Sequence, residues 1–211
     1  METIILHTNL QGILSHDDLQ QVEQLVTLGR VISFPTDTVY GLGVNLSNDD
    51  FIKQLYSIKE RDHLKSIPVL VADKKQVELV AYNINSVALR IMDAFWPGAI
   101  TLILPKNPNL PSSISTTKYI GVRMPDHPLA LQVLHTTGPL AVTSANLSNH
   151  GDACSADEVL HQIGGRFSLL IDGGKTPGTV SSTVVDCTNS DVHILRQGPI
   201  TIQQINDALT G

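Results

Sequence analysis

A chain of 211 residues, 42% of them hydrophobic and with a formal net charge of −6, is long enough for one domain with a sizeable core and too acidic to grip nucleic acid over its whole surface. No apolar run reaches the roughly 18 residues of a membrane span, and Met1 to His7 lacks the basic start and long apolar stretch of a signal peptide. Cys154 and Cys187 are the only cysteines, which without an export signal reads as free thiols in a cytoplasmic protein.

In chain order, Ser15-His16-Asp17-Asp18 forms a capping box that opens a helix. Leu19, Val22, Leu25 and Val26 share one face of it, and Gly29 ends it. Strands follow over 30–34 and 40–44. A helix from Asn48 turns Phe51, Ile52, Leu55 and Ile58 inward and ends near Lys59-Glu60-Arg61. A strand over 67–71 precedes helices over 75–80 and 86–95, which Trp96-Pro97-Gly98 stops. Then come a strand over 99–104, a long loop over 105–118 rich in Pro, Asn, Ser and Thr, and a strand into Arg123. A helix over 129–134 and a strand over 140–143 follow. Ser155 caps a further helix, strands lie over 169–172, 183–187 and 193–195, and Thr201 caps the last helix. Crossover helices mixed with adjacent strands predict an α/β fold whose mixed sheet is covered by helices, in a single domain over residues 1–211.

The densest chemistry lies between the second and third apolar segments, in Ser33-Phe34-Pro35-Thr36-Asp37-Thr38-Val39-Tyr40-Gly41-Leu42-Gly43. Three small oxygen-bearing side chains between two strands present polar groups at the floor of a pocket. Lys53, Lys59, Arg61 and Lys65 fall within 13 residues, which reads either as a focused anion site or as a solvated helix face. Arg123, closing a strand before Met124-Pro125, can hold a planar carboxylate with two parallel hydrogen bonds; pairing with Asp126 is the plain alternative. Ser144 and Asn146 stand just beyond a strand, where α/β sheets place ligand groups, although both residue types also favour turns.

Several familiar motifs are excluded. Gly174-Lys175-Thr176 would need a glycine where Leu169 stands to be a P-loop, and Gly41-Leu42-Gly43 has Leu46 in place of a third dinucleotide-binding glycine. Both read as turn glycines. No His-x-x-x-His pair, zinc spacing or Gly-x-Ser-x-Gly elbow is present.

Taken together, the Thr36–Gly43 segment, Lys59-Glu60-Arg61 with Lys65, Gly121-Val122-Arg123-Met124-Pro125, Thr143-Ser144-Ala145-Asn146-Leu147-Ser148, Ser181-Ser182-Thr183-Val184-Val185-Asp186 and Leu195-Arg196-Gln197-Gly198 resemble, in order, the motif set of the YrdC-like family, over about residues 19–205. That resemblance implies a twisted mixed sheet with a large concave cleft and the activity of an L-threonylcarbamoyladenylate synthase. Such an enzyme makes threonylcarbamoyl-AMP and pyrophosphate from L-threonine, bicarbonate or CO2, and ATP with Mg²⁺, for threonylcarbamoyladenosine modification of tRNA. It further implies threonine binding by Thr38, Arg123, Ser144 and Ser182, and ATP binding by Arg61, Lys65, Tyr119, Asn146 and Arg196. Lys59 and Arg61 become the catalytic cations, which with Lys65 neutralise the triphosphate. Separate transferase proteins would complete the tRNA modification, with weak direct tRNA binding at most and no membrane partner. No resident structural metal is expected, nor the second C-terminal domain of longer synthases. Asp62 and Ser66 stand where many relatives have Pro, and Ser181 where they often have Glu. A non-catalytic RNA- or nucleotide-binding paralogue and a carbamoyl-handling domain of hydrogenase maturation are the competing readings.

Overall fold

The computed structural model describes residues 2–178 and 180–210. Its elements run β1 (Ile4–His7), α1 (His16–Thr27), β2 (Ile32–Pro35), β3 (Tyr40–Asn45), α2 (Asp49–Lys59), β4 (Val69–Leu70), α3 (Lys74–Val80), α4 (Ser86–Phe95), β5 (Ile100–Pro105), β6 (Tyr119–Arg123), α5 (Pro128–Thr137), β7 (Leu140–Ser144), α6 (Ala156–Ile163), β8 (Leu169–Asp172), β9 (Thr183–Asp186), β10 (His193–Arg196) and α7 (Ile202–Thr210). The strands join one ten-stranded sheet in the order β1-β8-β2-β3-β7-β4-β6-β5-β9-β10. Its ladders are mixed: β1–β8, β2–β8, β4–β6 and β5–β9 are parallel, and the others antiparallel. No helix among the described residues is long and apolar enough to cross a membrane.

Helix ends form where the local chemistry specifies them. The Ser15 hydroxyl accepts from Asp18 N–H while the Asp18 carboxylate accepts from Ser15 N–H, a reciprocal capping box. Asn48, Asp73, Asn85 and Ser155 cap α2, α3, α4 and α6 one-sidedly, each side chain accepting from a backbone N–H of the first turn. The Thr201 hydroxyl accepts from Gln204 N–H at the start of α7. Gly29 has φ +70°, and a Cβ there would collide with the Phe51 ring, so the turn after α1 needs glycine twice over.

Alternation along the strands divides the core in two. Tyr40, Leu42 and Val44 of β3, Val69, Leu102 and Val122 point to one face, where they meet buried residues of α2, α3, α4, α6 and α7. Ile32 and Phe34 of β2, Val142, Leu169 and Ile171 point to the other, where Val22 and Val26 of α1 and Leu129, Ala130, Val133 and Leu134 of α5 cover them.

Three details depart from the sequence expectations. The edge strand β1 was not anticipated, its short run Ile4-Ile5-Leu6 being as exposed as it is apolar. The strand expected over 67–71 pairs only at Val69 and Leu70, after Pro68, which has no N–H to donate. Gly41 and Gly43 are not turn glycines. They lie inside β3, where a Cβ on Gly41 would approach Val142 Cγ1 to 2.8 Å and one on Gly43 would approach Phe34 Cε1 to 3.1 Å.

Candidate active site

α1 and α5 cover only part of their face of the sheet. Beyond them, over β3, β7, β4, β6 and β5, lies a pocket of about 170 Å³. Alternation again decides its lining: Gly41, Leu70, Thr101, Arg123, Val142 and Ser144 all fall on that face, and no residue of α1 or α5 contributes. Gly121 keeps the neighbouring surface low, since a Cβ there would stand 3.0 Å from Thr101 Cγ2 and 3.4 Å from Pro68 Cβ.

The turn between β2 and β3 forms one wall. Thr36 closes it by donating both its N–H (3.2 Å) and its hydroxyl (2.7 Å) to Val39 O, and Thr36 Oγ1 accepts from Thr38 N–H at 3.2 Å. That leaves the Thr38 hydroxyl facing Arg123, whose Nη1 donates to it at 3.2 Å. Arg123 Nη2 donates to Asp37 Oδ1 at 2.5 Å and Nε to Gly98 O at 3.0 Å. Arg123 therefore pairs with Asp37, not with Asp126, which is exposed.

Another wall is the Ser181-Ser182 segment just before β9, with the end of β10. The Ser182 hydroxyl is 2.8 Å from that of Thr101, and Arg196 brackets Ser182, donating from Nε (3.1 Å) and Nη2 (2.8 Å) to its carbonyl and from Nη2 to its hydroxyl (3.2 Å). Burial pulls the Arg196 guanidinium below its ordinary pKa; Asp152 opposes this and Arg123 reinforces it. Arg61, delivered just past α2 by the left-handed cap residue Glu60 (φ 53°), reaches the third side and donates to Ser66 O at 3.2 Å. Its pKa is likewise lowered by burial, with Tyr56 and Asp62 opposing.

Of the residues singled out in the sequence, Thr38, Arg61, Arg123, Ser144, Ser182 and Arg196 line this one pocket. Lys59 and Asn146 lie behind it. Lys59 is only 1% exposed, and its ammonium donates to Ser144 O, to Asn146 O at 2.5 Å and to Asn146 Oδ1 at 3.0 Å, with Ser144 Oγ at 3.4 Å. Burial first, then repulsion from Arg61, lowers its pKa to about 7, against the pull of Asp152. It stands as a hub fixing the segment after β7 rather than as a free cation. The Asn146 amide completes that segment by donating to Leu147 O and His150 O. Lys65 is exposed, and Tyr119 opens β6 at the end remote from Arg123; neither lines the pocket. Asp37, expected only as one of three polar groups at a pocket floor, and Thr101, not singled out from sequence, carry the geometry. The signal for Thr101 was a hydroxyl inside the apolar run Ala99–Leu104. Ser181, noted only as a departure, lines the pocket and donates to Asp152 Oδ2 at 3.4 Å.

Three guanidinium groups and a ring of small hydroxyls around one pocket suit a ligand, or two adjacent ligands, with separated anionic groups. Residues 24–198 match the Sua5/YciO/YrdC family model, described as "Telomere recombination". The chain is 41% identical over 197 residues to a Bacillus subtilis protein named threonylcarbamoyl-AMP synthase, covering 91% of this chain and 57% of that one. It is 32% identical over 185 residues to a Mycobacterium tuberculosis protein named putative threonylcarbamoyl-AMP synthase, covering 87% and 85%. The crystal structure of Pyrococcus abyssi Sua5 complexed with L-threonine superposes with a TM-score of 0.91 at 30% identity, over 99% of this chain and 61% of that one. The chain thus spans about three fifths of two of these relatives and most of the third, and it belongs to the Sua5/YciO/YrdC family.

Proposed function

We propose that this chain is an L-threonylcarbamoyladenylate synthase acting in the cytoplasm. The observation that carries the reading is that Arg123, Thr38, Ser144, Ser182, Arg61 and Arg196 line one pocket. The P. abyssi relative, so close in fold, was solved with threonine bound. In this reading Arg123 takes the threonine carboxylate. Thr38, Ser144 and Ser182 meet its amine and hydroxyl. Arg61 and Arg196, with exposed Lys65 nearby, take the phosphates of ATP, and Tyr119 and Asn146 border the nucleotide. Mg²⁺ enters with the nucleotide as part of the substrate.

The chemistry follows from holding these groups together. The threonine ammonium loses one proton to solvent and the free amine attacks CO2; an N–C bond forms as one C=O π bond opens to an oxyanion, and a second N–H proton leaves to solvent to give the carbamate. A carbamate oxygen then attacks the α-phosphorus, the bond to the bridging oxygen breaks, and pyrophosphate leaves with the metal. Both partners are anions, so the protein's contribution is fixed positive charge and alignment rather than a nucleophile. Lys59 acts here by holding Ser144 and Asn146 in place. The product, a mixed anhydride, passes to separate transferase proteins that modify tRNA, direct tRNA contact being weak on a chain of net charge −6. Pyrophosphate release measured with each component omitted tests this. Release should require threonine, bicarbonate and ATP together, and equal release from ATP alone would make the chain a plain hydrolase.

A further inference from the structure

We infer that Asp37 is a positioning residue that sets the amino-acid affinity of the pocket by holding Arg123 from outside it. The inference rests on the reading above in one respect, that Arg123 receives the substrate carboxylate.

The geometry separates two faces of the guanidinium. Arg123 lines the pocket, as do Thr36 and Thr38 on either side of Asp37, but Asp37 itself does not. Its carboxylate reaches Nη2 at 2.5 Å with both side chains largely buried, 8% exposed for Arg123 and 14% for Asp37. Three acceptors from two segments thus each fix one nitrogen: Gly98 O takes Nε, while Thr38 Oγ1 and Asp37 of the β2–β3 turn take Nη1 and Nη2. A guanidinium has five N–H donors, one on Nε and two on each Nη. With Nε committed to Gly98, the side-on mode of carboxylate binding is closed. One N–H remains on each Nη, so the guanidinium keeps two donors beyond those that hold it.

Asp37 also decides what the empty pocket costs. A buried guanidinium without a counter-charge is strongly unfavourable. The Asp37 carboxylate neutralises it before any ligand arrives, so Arg123 is held in place and does not swing toward solvent between turnovers. Long cationic side chains lose substantial rotamer entropy when fixed, and a site whose arginine is already fixed does not spend binding energy on ordering it.

The test is calorimetric titration with threonine, and separately with ATP, on the wild type, Arg123→Ala, Asp37→Ala and Asp37→Asn. Asp37→Ala should weaken threonine binding about 10- to 100-fold, within the cost of losing one charge-assisted bond, while ATP binding changes less than about threefold. Asp37→Asn keeps an acceptor of the same length without the charge and should recover part of the threonine affinity; it also serves if Asp37→Ala does not fold. In turnover assays the Asp37→Ala loss should appear in the KM for threonine with kcat largely kept. Threonine binding by Asp37→Ala equal to wild type, equal losses for threonine and ATP, or no recovery in Asp37→Asn would each overturn the positioning role. No threonine binding by the wild type, or full binding by Arg123→Ala, would instead overturn the assignment of Arg123 beneath it.

Discussion

The two halves of one sheet face show how this sequence divides its work. Over β8 and β2 the face is Leu169, Ile171, Ile32 and Phe34, and under α1 and α5 all four are fully buried. Over β4, β6 and β5 the same register positions carry Pro68, Gly121, Arg123 and Thr101, and no helix covers them. Burying those groups under an apolar helix would strand polar atoms without partners. They remain satisfied because they bond one another, Arg123 with Thr38 and Asp37, Thr101 with Ser182. One half therefore holds the fold and the other can spare its side chains for a ligand.

The sharpest way to break this division is Arg123→Ala in the open half. Removing one partner of a buried hydrogen-bonded charge pair costs about 2–5 kcal/mol in binding, much of it from the charge left unpaired. Threonine affinity by calorimetry should fall about 30-fold or more, with the secondary-structure signal unchanged. Leu134→Ala in the covered half should do the reverse. Truncating a buried leucine costs about 2–5 kcal/mol of stability, read as a lower denaturation midpoint, while the folded fraction keeps its threonine affinity. If both variants lost binding and stability in parallel, the two halves would not be separable.

The covered half was legible in the sequence because it is written in periodicity. Val22, Val26, Leu129 and Val133 recur at helical spacing, and Ser15 marks the start of α1 by a local rule. The open half was legible only as short polar motifs. These named six residues that do line the pocket, but partnership across the sheet is invisible along the chain. Asp37 and Arg123 are 86 residues apart, Thr101 and Ser182 are 81 apart. The same blindness placed Lys59 beside the phosphates. Its neighbours in sequence are charged, yet α2 turns it inward onto Ser144 and Asn146, 85 and 87 residues away. β1 was missed because a four-residue edge strand has one paired side and little burial to leave a pattern.

A gentler probe of the open half is the substrate itself. Thr38, Ser144 and Ser182 offer hydroxyls to a ligand hydroxyl, so valine, of threonine's shape without it, leaves them unpaired. A fully buried site of this kind discriminates by about 10⁴-fold. Here Ser144 and Arg196 are in contact with solvent, and a factor of about 10² is expected. Serine, which keeps the hydroxyl and lacks a methyl, should fall between the two in competition assays of adenylate formation. Valine matching threonine would remove the hydroxyl-reading role from these three residues.

The smallest effect tests the seam between the halves, where Lys59 lies. Its pKa in the folded protein is lowered from the ordinary 10.5 to about 7, chiefly by burial. Between those values the unfolded chain binds the proton more tightly than the folded one. Stability contributed by this residue therefore rises with pH across that window, by at most about 1.4 kcal/mol per pH unit for one proton, and is flat below it. Lys59→Met removes the titration while keeping a long apolar stem. Denaturant midpoints of the two proteins, measured from pH 7 upward, should show the wild type gaining on the variant at each step. Parallel curves would mean that the oxygens of Ser144 and Asn146 hold the proton as firmly as water does, since hydrogen bonds to the charged form oppose desolvation. The same titration should loosen the pocket's wall, because a neutral lysine has two N–H donors for acceptors that take more from the ammonium. Hydrogen exchange at Ala145 and Leu147 should therefore speed up over this pH range beyond the intrinsic rise seen at α5 amides, and an equal acceleration at both places would leave Lys59 as packing alone.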